Sequence, residues 1–263
     1  MNQLSLTKKT FLLLPLVICA TQLFAQTTVP KPAPMSPEMT EFWEPEVPVV
    51  TPGKATPNAL VTAPSDAIVL FNGKDLSQWV GKGGGPANWE VKNGTFVVKK
   101  GTGDIQTKQV FNDFQLHIEW MVPQNITGKS QARGNSGIFL QGIYELQLLD
   151  NYNNRTYANG QAGSIYKQTP PLKNAMQAPG GWNVYDIIYT APRFKEDSSL
   201  FSPAYITVMH NGVVIQNHTQ IRGTTPYIGL PKYTAHGKGP ISLQDHGDPS
   251  EPLSFRNIWI REL

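Results

Sequence analysis

The chain has 263 residues and a formal net charge of +3, with 16% charged residues, 23 glycines, 22 prolines and one cysteine. A charged fraction this low, beside abundant turn formers, suits a loop-rich β-fold rather than a helical one. The small net charge excludes a basic footprint for nucleic acid, and one cysteine excludes a disulfide framework or a thiolate metal cage.

Lys8 and Lys9 precede an apolar run over 11–20, and Leu23-Phe24-Ala25 supplies a small residue before Gln26. That layout predicts a secretory signal peptide over residues 1–25, so the mature protein is expected to be secreted or periplasmic. The run falls short of the ~20 residues of a membrane-spanning helix, so no transmembrane segment is expected. Lipidation at Cys19 is the rival reading, disfavoured by the bulky Ile18 before it. Cleavage after Ala25 would remove the one cysteine and both lysines, leaving a net charge of +1.

Residues 26–66 read as a proline-rich arm. Pro30, Pro32, Pro34, Pro37, Pro45, Pro48, Pro52, Pro57 and Pro64 remove backbone donors and fix φ, which forbids a long helix or central strand. Phe42 and Trp43 predict an aromatic anchor that pins this arm to the domain surface, with a flexible tether as the alternative.

From residue 67 to 263 short β-type runs alternate with turn residues, at 68–71, 95–99, 114–122, 136–141, 144–149, 184–189, 205–210, 213–216, 241–244 and 255–260. Asn93-Gly94 and Asn211-Gly212 predict two-residue hairpin turns, because such turns need positive φ at both central positions. Strands without helical crossovers must pair mostly antiparallel, predicting an all-β sandwich of two sheets. Alternation puts Phe114, Leu116, Ile118 and Trp120 on a core face, with His117 and Glu119 opposite. It likewise separates Tyr144, Leu146 and Leu148 from Glu145 and Gln147, and Ile241 and Leu243 from Ser242, Gln244 and His246.

Three constellations could carry chemistry. Glu145-x-Gln147-x-x-Asp150 resembles the carboxylate strand of laminarinase-type retaining glycosidases, but Gln147 and the shorter Asp150 depart from it. Such enzymes need two carboxyl groups about 5–5.5 Å apart. Arg133-Gly134-Asn135-Ser136-Gly137 offers a guanidinium and two glycines that allow close backbone approach, or else a plain turn. Gln244-Asp245-His246-Gly247 offers an imidazole able to trade protons near neutral pH, or a structural histidine. No histidine has ligand spacing to another, so no cofactor is required by the sequence.

Several segments together resemble the 3-keto-disaccharide hydrolase family. Leu70-Phe71-Asn72-Gly73-Lys74-Asp75-Leu76-Ser77-Gln78-Trp79 is similar to its "LFNGKDLSGW" opening, residues 133–139 to "RGNSGIF", and residues 144–150 to "YEVQVLD". Gly163-Ser164-Ile165-Tyr166 is similar to "GAIY", and the stretches 239–247 and 255–260 to "GPIxLQDHG" and "FRNIWI". The resemblance implies a concanavalin-like jelly roll that acts on glycosides already oxidised at sugar C3. It implies a route in which a base removes the acidified C2 hydrogen, the enolate expels the C1 group, and water adds to the enone.

On that resemblance and the strand faces, the expected base is Glu145 or His246, and Arg133 is expected to polarise the keto oxygen. Gln147, Gln244 and Asn135 are expected to bind sugar hydroxyls, and Tyr166 or Trp182 to stack on the ring. Trp182 could equally pack in the core. Asp150 and Glu119 are expected to position substrate, and Glu145, Asp150 and His246 could share a divalent cation. The substrate would come from a partner oxidoreductase acting at sugar C3. A carbohydrate-binding module without turnover and a conventional retaining glycosidase are the alternatives.

Overall fold

The computed structural model describes residues 34–49, 51 and 61–263. The predicted signal segment and Cys19 lie outside the described residues. From Met35 onward the chain forms one compact unit, which includes the described part of the arm.

Two antiparallel sheets make a jelly-roll sandwich. The larger runs β13 (Val213–Gln220), β12 (Tyr205–His210), β9 (Trp182–Thr190), β6 (Phe114–Met121), β15 (Ser254–Glu262), β4 (Thr95–Val97) and β3 (Glu90–Lys92). Its β15 also pairs with β1 (Ile68–Phe71). The smaller runs β2 (Trp79–Gly81), β5 (Ile105–Thr107), β14 (Ser242–Leu243), β7 (Ser136–Leu140) and β8 (Tyr144–Leu148). A short ribbon of β10 (Arg193–Phe194) and β11 (Leu200–Ser202) stands apart. Among the described residues the helical pieces are three short 3₁₀ turns, and no helix is long and apolar enough to cross a membrane.

Both predicted hairpin turns form. Asn93 and Gly94 have φ of 53° and 75°, and Asn211 and Gly212 have 52° and 80°, the left-handed pair that matches the twist of the flanking strands. The inward faces are those that alternation predicts. Leu116, Ile118 and Trp120 of β6 meet Ile138, Leu146, Leu148 and Leu243 of the smaller sheet in one buried core. Phe96, Phe71, Trp89 and Phe255 close one part of it with tilted and stacked rings. Burial of this apolar layer is the main source of stability, at roughly 25 cal/mol per Å².

Because the core fills the space between the sheets, polar faces point outward on two opposite sides. Glu145, Gln147 and Gln244 leave the smaller sheet on one side. His117, Glu119, Asp186 and Trp182 leave the larger sheet on the other.

The arm packs on the domain through specific bonds. Asn159 accepts from the Phe42 amide at 2.9 Å and donates to Thr40 O at 2.9 Å, and the Trp43 ring meets Tyr157 edge-on at 6.0 Å. Val49 forms a bridge to Asn174.

Candidate functional site

A cavity of about 180 Å³ opens on the outer face of the smaller sheet. Strand alternation builds its floor: Phe139 of β7 and Glu145 and Gln147 of β8 project outward together, across from core-facing Ile138 and Leu146. The Gln244 amide donates to Gly137 O at 3.1 Å, which prolongs β14 pairing by one residue and brings Gln244 beside β8's polar face. Asn135 and His246 complete one side.

The opposite side comes from segments that stitch onto β8. Gly163 N donates to Gln147 O at 2.9 Å and Tyr166 N donates to Glu145 O at 3.1 Å, which delivers the Tyr166 ring to the rim. The Glu145 amide donates to Thr225 Oγ1 at 3.0 Å, and so fixes the loop that carries Tyr227 over the mouth. Lys167, 6% exposed, ties this wall to the arm: its Nζ donates to Pro37 O at 3.0 Å and to Tyr227 O at 3.1 Å.

Glu145 is 7% exposed and lines the cavity. Burial, with a smaller push from the Asp104 carboxylate, raises its pKa to about 8, against a weaker pull from Lys82. Burial thus favours its neutral acid form near pH 7. Gly137 makes room for it, since a Cβ there would lie 2.6 Å from Glu145 Oε1. Across the cavity, His246 Nδ1 stands 3.6 Å from Asp248 Oδ2. Burial disfavours the charged Asp248, yet bonds from His246, Ser250 and the Asn135 amide outweigh it and hold its pKa low. An anionic Asp248 therefore orients the imidazole.

The amides form a second layer of recognition. Gln147 Nε2 donates to Asn135 Oδ1 at 3.0 Å, and Asn135 Nδ2 donates to Gln131 O at 2.9 Å. That chain locks the amide orientations and leaves Gln147 Oε1 buried without a bonding partner among the described residues, as is Gln244 Oε1. Buried acceptors of this kind are costly unless a ligand or water satisfies them.

Thus Glu145, His246, Gln147, Gln244, Asn135 and Tyr166 converge on one cavity. The other expected site residues do not. Arg133 lies outside the lining, its Nε 2.7 Å from Asp150 Oδ2, so the pair braces the start of β7 instead of polarising a ligand. Asp150, fully buried, also accepts from the Tyr152 amide at 2.9 Å. Asp150 does not line the cavity with Glu145 and His246, and no three-residue metal-ligating cluster occurs among the described residues. Glu119 and Trp182 occupy the outer face of the larger sheet. There Glu119 Oε2 accepts from Arg256 Nε at 2.6 Å, and the Arg256 guanidinium covers the Trp182 ring at 4.1 Å. Alternation had put Glu119 on an outward face, but that face belongs to the other sheet, and Trp182 packs there under Arg256 instead of stacking on a sugar or entering the core.

Sequence reasoning passed over Phe139, Thr225, Tyr227 and Asp248. Asp248 had a signal, lying two residues after His246. Thr225 and Tyr227 had none, because their loop reaches β8 only through tertiary folding.

The comparisons fit this architecture. A Parabacteroides distasonis protein provisionally named a glycosyl hydrolase is 68% identical, with a TM-score of 0.78, covering 86% of this chain and 96% of its own. A second protein of that organism with the same provisional name is 21% identical, TM-score 0.52, covering 75% of this chain and 94% of its own, and shares the fold. A third is 23% identical, TM-score 0.50, covering 75% and 99%. No curated protein matches the chain. The model of the 3-keto-alpha-glucoside-1,2-lyase-like domain matches residues 66–261, three quarters of the sequence and the whole sandwich that carries the cavity, so the chain belongs to that family.

Proposed function

We propose that the protein is a carbohydrate-active enzyme that cleaves 3-keto-glycosides by elimination at C1–C2 followed by hydration. The observation that carries this reading is the convergence on one cavity of the His246 imidazole, 3.6 Å from Asp248, and the buried Glu145 carboxyl. Family membership and the 68% identical relative named as a glycosyl hydrolase support the substrate class.

In this reading His246 takes the C2 proton, and the electron pair moves to the C3 oxygen. The protonated Glu145 donates a hydrogen bond to the developing enolate, as a carboxylic acid held neutral in an apolar site can. The enolate then collapses to re-form the ketone, expelling the C1 oxygen, which leaves as the alcohol after protonation. Water adds to C1 of the enone and gives the free 3-keto sugar. Gln147, Gln244 and Asn135 bind the sugar hydroxyls, and Tyr166 stacks on the ring. Arg133 has no direct part. A retaining mechanism lacks its second carboxylate, because Glu145 is the one carboxylate that lines the cavity among the described residues. An oxidoreductase acting at sugar C3 would supply the substrate.

The test is turnover of a 3-keto-glucoside beside its unoxidised parent. The keto substrate alone should be cleaved, His246→Ala should lose about 10²–10⁴-fold in kcat/KM, and Glu145→Gln a smaller amount, because an amide still donates. Activity of the wild type should fall as pH rises through about 8. A rate that climbs through that range would make Glu145 the base, and near-normal turnover in both variants would end the assignment.

A further inference from the structure

A second and larger cleft, about 280 Å³, lies between the arm and the 151–161 loop. Its lining is dense in side-chain amides: Asn151, Asn153, Asn154, Gln161 and Asn174, with Trp43 at the edge. Asn151, Asn154 and Asn174 commit both amide atoms to the fold, so Asn153 and Gln161 carry the donors and acceptors left to meet sugar hydroxyls.

Three of these amides are held rigid by the backbone. Asn154 Nδ2 donates to Ser130 O at 3.1 Å, Asn174 Nδ2 to Asn151 O at 3.0 Å, and Asn151 Oδ1 accepts from Ala162 N at 2.6 Å. Gln161 Oε1 is buried and has no bonding partner among the described residues. Trp43 is 44% exposed, although one edge packs on Tyr157, so a fixed indole presents a free surface. Arg155 at the rim is matched by Glu44 at 2.9 Å and Glu46 at 2.8 Å, so the cleft offers no net positive charge to an anion. A neutral polyhydroxylated ligand with one flat apolar face suits this set.

A chain of packed aromatic rings runs from the cleft to the cavity wall. Trp43 meets Tyr157 at 6.0 Å, and Tyr157 Oη bonds Tyr166 Oη at 2.7 Å, while Tyr166 lines the cavity. The family match begins at residue 66, so Trp43 and the arm side of the cleft lie outside the shared domain. We infer that the cleft between the arm and the 151–161 loop is a second carbohydrate-binding site, which holds the non-reacting sugars of a neutral oligosaccharide. The inference rests on the carbohydrate reading of the cavity, but its test does not require cleavage.

Unoxidised cellotriose, maltotriose, laminaritriose and xylotriose are titrated into the full chain, with binding followed by ligand-observed NMR and calorimetry. At least one should bind the wild type. Trp43→Ala should weaken that binding about tenfold, and Asn153→Gly, which removes the exposed amide while tolerating the positive φ of 50° at that position, severalfold. Melting temperatures confirm that both variants are folded. Binding left unchanged in both variants but lost in Gln147→Ala would assign the sugar to the cavity and overturn the proposal. So would no binding of any trisaccharide to the wild type. If 3-keto-glucosides prove inert while Trp43-dependent binding holds, the catalytic reading fails and this one stands.

Discussion

At Glu145 the fold works against ionisation, and that has a stability consequence apart from catalysis. In the unfolded chain the carboxyl loses its proton near its ordinary value of 4.5, whereas the folded protein holds it up to about 8. Between those values the native state binds more protons than the unfolded state, so stability falls as pH rises through the window. Glu145→Gln removes the proton linkage. It should raise the melting temperature at pH 8, by an amount equivalent to about 2–4 kcal/mol, and have little effect near pH 4. Differential scanning fluorimetry across pH measures this, and a variant no more stable than wild type at pH 8 would show that cavity water solvates the carboxylate. The polar position of Glu145 was legible in the sequence from its alternation with Tyr144 and Leu146. Its neutral state was not, since burial arises from Tyr166, Thr225 and Tyr227 arriving from distant segments.

At the scale of elements, the β7–β8 pair aims the carboxyl. Gly137 lies opposite Gln147 in register, and the Glu145 side chain leans across it. Gly137→Ala would put a methyl 2.6 Å from Glu145 Oε1, so the carboxyl must move. The expected result is a fall in kcat/KM of about 10–100-fold with roughly 1–3 kcal/mol of lost stability. Kinetics beside a thermal melt separate the two, and wild-type turnover would mean that the glycine does not aim Glu145. The same pair shows where reading by element runs out. Alternation identified the outward residues of β6 as surely as those of β8, yet Glu119 faces away from the cavity. A period of two tells which residues share a side of one strand; it carries no information on which sheet that strand joins.

Over the whole molecule, the arm and the catalytic wall are one structure, joined by Lys167. Its ammonium bridges Pro37 of the arm and Tyr227 at the cavity mouth, and sits 5.9 Å from the Tyr166 centroid and 4.8 Å from that of Tyr227. Lys167→Met keeps the stem but removes these bonds. Because the lysine touches no reacting atom, the change should raise KM about 3–10-fold with kcat nearly intact, and should speed proteolytic clipping of the arm. Equal KM values and unchanged clipping would show that the arm merely rests on the domain.

Local chemistry was enough to determine the all-β class, both Asn-Gly turns, the inward faces of the long strands, and the shared polar side of Glu145 and Gln147. Each of these depends on backbone preference or on a period of two, which neighbours along the chain already specify, whereas naming Asn135, Tyr166 and His246 as site residues rested also on the family resemblance. Tertiary structure decided the rest: Arg133 is spent on Asp150, Glu119 and Trp182 lie on the far side, and Thr225 and Tyr227 close the mouth. These depend on which segments the hydrophobic core brings together, 80 residues apart for Glu145 and Thr225 and 137 for Arg256 and Glu119. Such long-range contacts are set by burying the two sheets against each other, and no local pattern encodes them.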